Sequence, residues 1–262
     1  MVVLSGDEGR HAATVRRLRP GERADLIDGA GMTAECVVAA ARPGLLELTV
    51  LGRHEEPPPQ PRLCVVQAIP KGDRGEQAVE TMTEVGVDVI VPWAAERCIA
   101  VWAAGTSAGG SGTSAGGSSG RGPGAGGSGG RGPGAGRPAG RSQRGLARWR
   151  VTAREAAKQS RRARIPEVTE LAGTADVLDR VRAAACAIVL DPAAGTGLGS
   201  VPLPATGEIV LIVGPEGGVS PAEAASFTGA GAVAARLGPT VLRASSAGAA
   251  AAAVLFSRCG RW

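Results

Sequence analysis

The chain has 262 residues, enough for one large or two small domains, and its hydrophobic share of 44% is ordinary for a globular protein. No apolar run is long enough to suggest a membrane span or a secretory leader, so no membrane partner and a cytoplasmic location are expected. Net charge is +5 and aromatic content only 2%, with no Tyr, which argues against RNA recognition built generally on aromatic stacking.

Residues 1–52 read as a small β-rich unit. Ala24–Asp28, Ala34–Val38 and Leu45–Leu51 are predicted strands between glycine turns, and His11–Leu18 a short helix. The proline-rich stretch Glu55–Pro61 reads as an extended linker. Strand and helix signals then alternate. Strands are predicted over Leu63–Ile69, Val87–Pro92, Cys186–Leu190, Ile209–Val213 and Val233–Leu237. Helices are predicted over Arg74–Gly86, Leu146–Arg162, Thr174–Ala184, Ser220–Gly229 and Ala244–Arg258. This is the pattern of an α/β fold, a parallel sheet covered by helices.

Residues 103–145 break the pattern. Eighteen of these 43 residues are glycine, and Arg121-Gly-Pro-Gly-Ala-Gly126 recurs as Arg131–Gly136. Such a segment offers too little apolar surface to offset its ordering entropy and is expected to be a flexible surface insertion. Charge is uneven too. Residues 103–145 carry five Arg and no acid, and residues 146–164 carry seven basic residues against Glu155. The rest of the chain is therefore mildly acidic, which favours a localised polyanion site over general stickiness. The five cysteines show no paired spacing, and His11 and His54 are the only imidazoles, so no metal is expected.

Two loops near the C-terminal end carry the most information. Ile209–Val213 feeds Gly214-Pro-Glu-Gly-Gly218, and a helix start follows at Ser220-Pro-Ala-Glu223, which has the form of a capping box with Pro at its first position. Leu237-Gly-Pro-Thr-Val-Leu-Arg243 follows another short strand and leads into an alanine-rich helix. A glycine loop between a buried strand and a helix N-terminus is where α/β proteins bind nucleotide-like ligands. The dinucleotide fingerprint is missing: no G-x-G-x-x-G follows an early strand, so an oxidoreductase is disfavoured.

These two loops resemble those of the RsmE family, SPOUT-class methyltransferases that use S-adenosylmethionine to modify uridine N3 in small-subunit (16S) ribosomal RNA. Lys71-Gly-Asp-Arg74 with Thr83-Glu-Val-Gly86, Arg148-Trp149 with Glu155–Arg161, and His11–Arg19 with Gly21-Glu22 are similar to the family in the same order. The resemblance implies a PUA-like RNA-binding domain over 1–58 and a SPOUT domain over 62–262 ending in a trefoil knot. It also implies a homodimer and the small ribosomal subunit as partner. Two departures stand out. Arg243-Ala-Ser-Ser-Ala247 has Ser245 where the family carries a carboxylate, and the first strand of the family's N-terminal domain falls before Met1, so that domain is expected to be one strand short.

Site expectations follow from the loops and the resemblance together. Leu190, Gly214, Glu216, Gly217, Gly218, Leu237, Gly238, Leu242, Arg243 and Ser245 are expected to hold the cofactor, mostly through backbone groups and leucine faces. Arg243 is the candidate for steadying negative charge on the uracil oxygens. Glu216 is the acid nearest the ligand, able either to accept the N3 proton or to hold the loop, and holding the loop is favoured. Lys71, Arg74, Arg154, Lys158, Arg161, Arg162, Arg16 and Arg17 are the candidate RNA contacts, with plain solvation as the alternative for the N-terminal arginines. The competing function is a non-catalytic ribosome-binding protein that keeps the fold, a reading the Ser245 departure permits.

Overall fold

A computed structural model describes residues 1–99, 102 and 138–262, with side chains from 142 onward in the last stretch. The N-terminal unit is an antiparallel sheet of β1 (Val2–Leu4), β2 (Arg23–Ile27), β3 (Met32–Arg42) and β4 (Leu45–Glu55), in the order β1-β4-β3-β2. Its small core is Ala12, Cys36, Val38, Leu46 and Leu48, alternate residues of β3 and β4 closed over by a helical segment. That segment differs from the predicted helix. A short α1 (Gly6–Arg10) runs into a π-helical turn at His11–Val15. Strand β1 had no sequence signal, because three residues show no period, and only its pairing with Leu46–Leu48 of β4 defines it.

The second unit is a six-stranded, all-parallel sheet in the order β10-β8-β9-β5-β6-β7. Its strands are β5 (Arg62–Ala68), β6 (Val89–Trp93), β7 (Glu167–Val168), β8 (Cys186–Leu190), β9 (Glu208–Val213) and β10 (Val233–Ala235). The central strands are buried on both faces, which is why they read as mostly apolar runs without polar alternation. On one face lie α2 (Arg74–Val85), α3 (Pro138–Gln159) and α6 (Ala244–Cys259), around Met82, Trp149, Leu255 and Phe256. On the other lie α4 (Thr174–Ala183) and α5 (Pro221–Gly229), around Val177, Val181 and Phe227.

Helix α3 corrects an expectation. It starts at Pro138, so residues 138–145 are helical rather than part of the insertion. Trp102 packs edge-on to Trp149 at 5.0 Å between ring centroids, and a Cβ on Gly145 would run into the Trp102 ring. The remainder of the expected insertion, 103–137, lies outside the described residues.

Several contacts tie the two sheets together. Gly31 N–H donates to the Ala163 carbonyl at 3.1 Å, and Ile165 N–H to the Gly29 carbonyl at 2.9 Å. Lys158 pairs with Glu8 of α1 and with Glu155. No helix among the described residues is long and apolar enough to cross a membrane. No group of three or more His, Cys, Asp or Glu among them could hold a metal ion.

Candidate active site

The glycine loops occupy one end of the parallel sheet. Loop 214–218 leaves the C-terminal end of β9 and loop 237–243 follows β10, while β8, ending at Leu190, lies between the two strands. Strands one apart from a shared neighbour are about 10 Å from each other, so the loops flank Leu190. The turn after β5, with Lys71 and Arg74, opens at the same end beside β9. In an open α/β sheet, ligands bind in this crevice beyond the carboxyl ends of the strands.

The capping box read from sequence forms. Ser220 Oγ accepts from Glu223 N–H at 3.2 Å, and Glu223 Oε2 accepts from Ser220 N–H at 3.2 Å. Glu223 is buried and does more than cap. Its Oε1 also accepts from Glu96 N–H at 2.9 Å and from the Thr174 hydroxyl at 3.0 Å, which binds the loop after β6 and the start of α4 to the glycine loop. Next to it, Arg97 donates to the Gly217 carbonyl at 3.1 Å. Sequence reasoning passed over Arg97. The available signal was a charged pair, Glu96-Arg97, directly after a strand's carboxyl end.

Within loop 214–218 the glycines differ. A Cβ on Gly214 would lie 2.8 Å from Val219 Cγ2 and 3.0 Å from Val219 N, so the turn closes only without a side chain. Gly218 has φ +72 and open space where a Cβ would point. A Cβ on Gly217 would face Arg97 Cβ at 3.4 Å, an ordinary packing distance, so no protein neighbour requires glycine there.

Glu216 Oε1 accepts from Lys71 N–H at 3.3 Å and lies 3.6 Å from Arg74 Nη1. It therefore joins the β9 loop to the turn after β5, and its carboxylate is already engaged. Arg243 is the N-cap of α6, with its guanidinium exposed and no ion-pair partner among the described residues. The α6 N-terminus has neither a side-chain cap nor an acidic residue in its first turn. Ser245 is buried in that first turn. Beneath Gly248 of the same helix, Gln67 of β5 is fully buried and its Oε1 has no hydrogen-bond partner among the described residues. Leu190, Leu237 and Gly238 are half-buried and Leu242 is exposed, so the loops present apolar faces beside open backbone.

The basic residues do not form one face. Lys71 and Arg74 stand at the carboxyl end of the sheet with the glycine loops, and Arg154 is exposed on α3. Lys158 is engaged between the two units. Arg161 is exposed at the far end of α3, and Arg16 and Arg17 are exposed after the π-helical turn. Arg162 departs from the expected RNA role. It turns inward, with only 15% of its side chain exposed, donating to the carbonyls of Thr83 at 2.8 Å and Val87 at 2.9 Å. A helix C-terminus leaves carbonyls without partners, and Arg162 satisfies those at the end of α2.

Comparison with known proteins decides the family. An RNA methyltransferase domain model matches residues 56–109 and 136–256, and an RNA methyltransferase PUA domain model matches residues 4–51. Ribosomal RNA small subunit methyltransferases E from Mycobacterium bovis and Mycobacterium tuberculosis are each 42% identical over all of this chain and 88% of their own length. The chain belongs to the RsmE family. The crystal structure of the Neisseria gonorrhoeae ribosomal RNA small subunit methyltransferase E, bound to S-adenosyl methionine, superposes with a TM-score of 0.76 at 26% identity, covering 98% of this chain and 91% of that one. A Legionella pneumophila methyltransferase structure shares the fold, with a TM-score of 0.74 at 23% identity, covering 98% of this chain and 91% of that one.

Proposed function

We propose that this RsmE-family chain transfers a methyl group from S-adenosylmethionine to N3 of a uridine in 16S ribosomal RNA of the small subunit. The observation that carries the reading is the pair of loops, 214–218 and 237–243, flanking Leu190 at the carboxyl end of a parallel sheet in a member of this family. The residues fit the cofactor. Gly218 and Gly238 leave open space where side chains would stand, so backbone groups are accessible for hydrogen bonds, and Leu190, Leu237 and Leu242 offer apolar surface to a flat ring. When bound, the cofactor supplies an electrophilic methyl group on a sulfonium.

The protein's share is positioning and charge. Uridine N3 becomes a good nucleophile only as it loses its proton, and negative charge then spreads onto the ring oxygens. Arg243 is the cation placed to steady that charge. Glu216 serves as the holder of the Lys71–Arg74 turn, because its carboxylate already accepts from Lys71 and pairs with Arg74. Ser245 leaves the first turn of α6 without a carboxylate, so this chain carries out the reaction without that group. Lys71, Arg74 and Arg154 contact RNA phosphates, and Arg16 and Arg17 extend the contact from the N-terminal domain.

Arg243→Ala is expected to lower kcat about 100-fold while S-adenosylmethionine affinity changes little, the signature of a group that acts on developing charge. Nucleoside mass spectrometry of small subunits lacking the modification, incubated with enzyme and cofactor, reads the product. RNA binding without any methyl-uridine from the wild-type chain would instead support the non-catalytic reading.

The path fits the trefoil knot that the family implies. The chain passes from β9 across β8 to β10, and α6 then returns to pack on β5, β9 and α2. We place the enzyme in the cytoplasm, where its RNA is, as a homodimer. Val241, Leu242 and the small-residue helix α6 suit close packing against a second copy. Light scattering at micromolar concentration is expected to give twice the chain mass, and a stable monomer would contradict it.

A further inference from the structure

A groove of about 390 Å³ lies between residues 56–59, the segments that follow α2 and α3, and residues 256–262. Its lining residues include Arg161, Arg162, Arg164 and Arg261 against only two acidic residues, Glu56 and Asp88. Asp88 is shared by Arg162, at 4.0 Å, and Arg261, at 2.7 Å. Four guanidinium groups against two carboxylates leave positive charge in excess. Part of that excess is removed from water: the Arg162 and Arg261 side chains are each 15% exposed. Arg164 Nε is buried without a hydrogen-bond partner. Burial depresses the Arg162 guanidinium, Asp88 works against that, and Arg261 adds to it. Desolvated guanidinium groups that outnumber their carboxylates are costly unless a further anion completes the cluster.

Two more features point the same way. Arg161 holds φ +57 just beyond the end of α3, a position where glycine or asparagine sits with least strain. An arginine there costs stability, and strain of this kind gathers at binding sites. Trp262 shares the lining and is 66% exposed, next to Arg261, whose guanidinium lies 4.1 Å from the Phe256 ring centroid. An exposed indole beside guanidinium groups is a surface for a base and its phosphate.

We propose that this groove binds a phosphodiester of single-stranded RNA, with the adjoining base stacked on Trp262, as an anchoring site separate from the methylation loops. Gly86 and Asp88 line it just before β6, at the amino ends of the strands, whereas the glycine loops stand at the carboxyl ends. The seven residues of β5 separate the two ends by about 20 Å, so the anchored nucleotide is not the one methylated. That the polyanion is RNA rests on the methyltransferase reading above.

The test uses the full chain with Arg161→Asn and Trp262→Ala, singly and together. Both side chains are exposed, and neither belongs to the Asp88 pairs or the proposed catalytic loops. The double variant is expected to bind a single-stranded 16S ribosomal RNA fragment about tenfold more weakly, with a salt slope reduced by about one. S-adenosylmethionine affinity should be unchanged. Arg161→Asn alone should match or exceed the wild-type Tm by about 1–3 °C, and Arg161→Lys should retain most of the RNA affinity. Unchanged RNA affinity in the double variant overturns the proposal, as does a loss that appears only together with lost cofactor binding or a lowered Tm. In a second arm, inorganic phosphate is titrated against wild type and variants. If phosphate raises the wild-type Tm through Arg161 while the double variant binds RNA normally, the groove is a small-anion site and the proposal fails. If the wild type makes no methyl-uridine yet the groove variants still lose RNA affinity, the catalytic reading fails and the groove assignment stands.

Discussion

Asp88→Ala is expected to destabilise the chain by about 3–5 kcal/mol, the range for removing one partner of a buried ion pair. The Asp88 side chain is only 10% exposed and is held by Arg261 through both oxygens, at 2.7 and 3.1 Å. Its Oδ2 also accepts from Leu63 N–H at 2.8 Å. The same two arginines reach the carbonyls of Pro61, Thr83, Gly86 and Val87, so Asp88 is the hub that joins the start of β5, the end of α2, the end of α3 and the end of the chain. Truncation leaves Arg162 and Arg261 facing one another without the carboxylate they share. Urea unfolding followed by circular dichroism measures the loss, and a change below about 1 kcal/mol would show that water compensates both guanidiniums. Asp88→Asn keeps one acceptor oxygen for Leu63 and fills the same space, so it should cost less than the alanine variant.

Gly214→Val should lower S-adenosylmethionine affinity at least about 100-fold while leaving the parallel sheet folded. The added Cβ would meet Val219 N at 3.0 Å and the carbonyl carbon of Gly218 at 3.3 Å. Those are backbone atoms of the same tight turn and cannot rotate away, so the loop must open and its amides leave their positions. The buried strand before it, Ile209–Val213, is untouched, and far-ultraviolet circular dichroism should remain native. Isothermal titration reads the affinity. Binding within about threefold of wild type would mean that the loop geometry does not set the cofactor site. Gly217 is the less sensitive position. Its Cβ direction meets Arg97 Cβ at 3.4 Å and the Arg97 carbonyl at 3.6 Å, ordinary contact distances that a side chain can meet without opening the loop.

The elements legible in the sequence are those whose cause is local. The strands β5 (Arg62–Ala68) and β9 (Glu208–Val213) are dominated by apolar residues because both their faces are covered. The Ser220–Glu223 capping box is a reciprocal pair of hydrogen bonds three residues apart, so spacing alone reveals it. Family membership was legible through the two glycine loops, and the domain models bear it out. What depended on distant partners was not legible. Strand β1 exists through β4, and the helical start at Pro138 lies in a glycine-rich run that composition assigns to the insertion. Arg161 and Arg162 are neighbours of identical type. The left-handed turn at the end of α3 sends one outward and the other under α2, where carbonyls and Asp88 await it. Charge density in a sequence counts guanidinium groups. Only the tertiary structure decides which meet solvent and which meet a buried carboxylate, because burial and pairing are set by the packing of segments far apart in the chain.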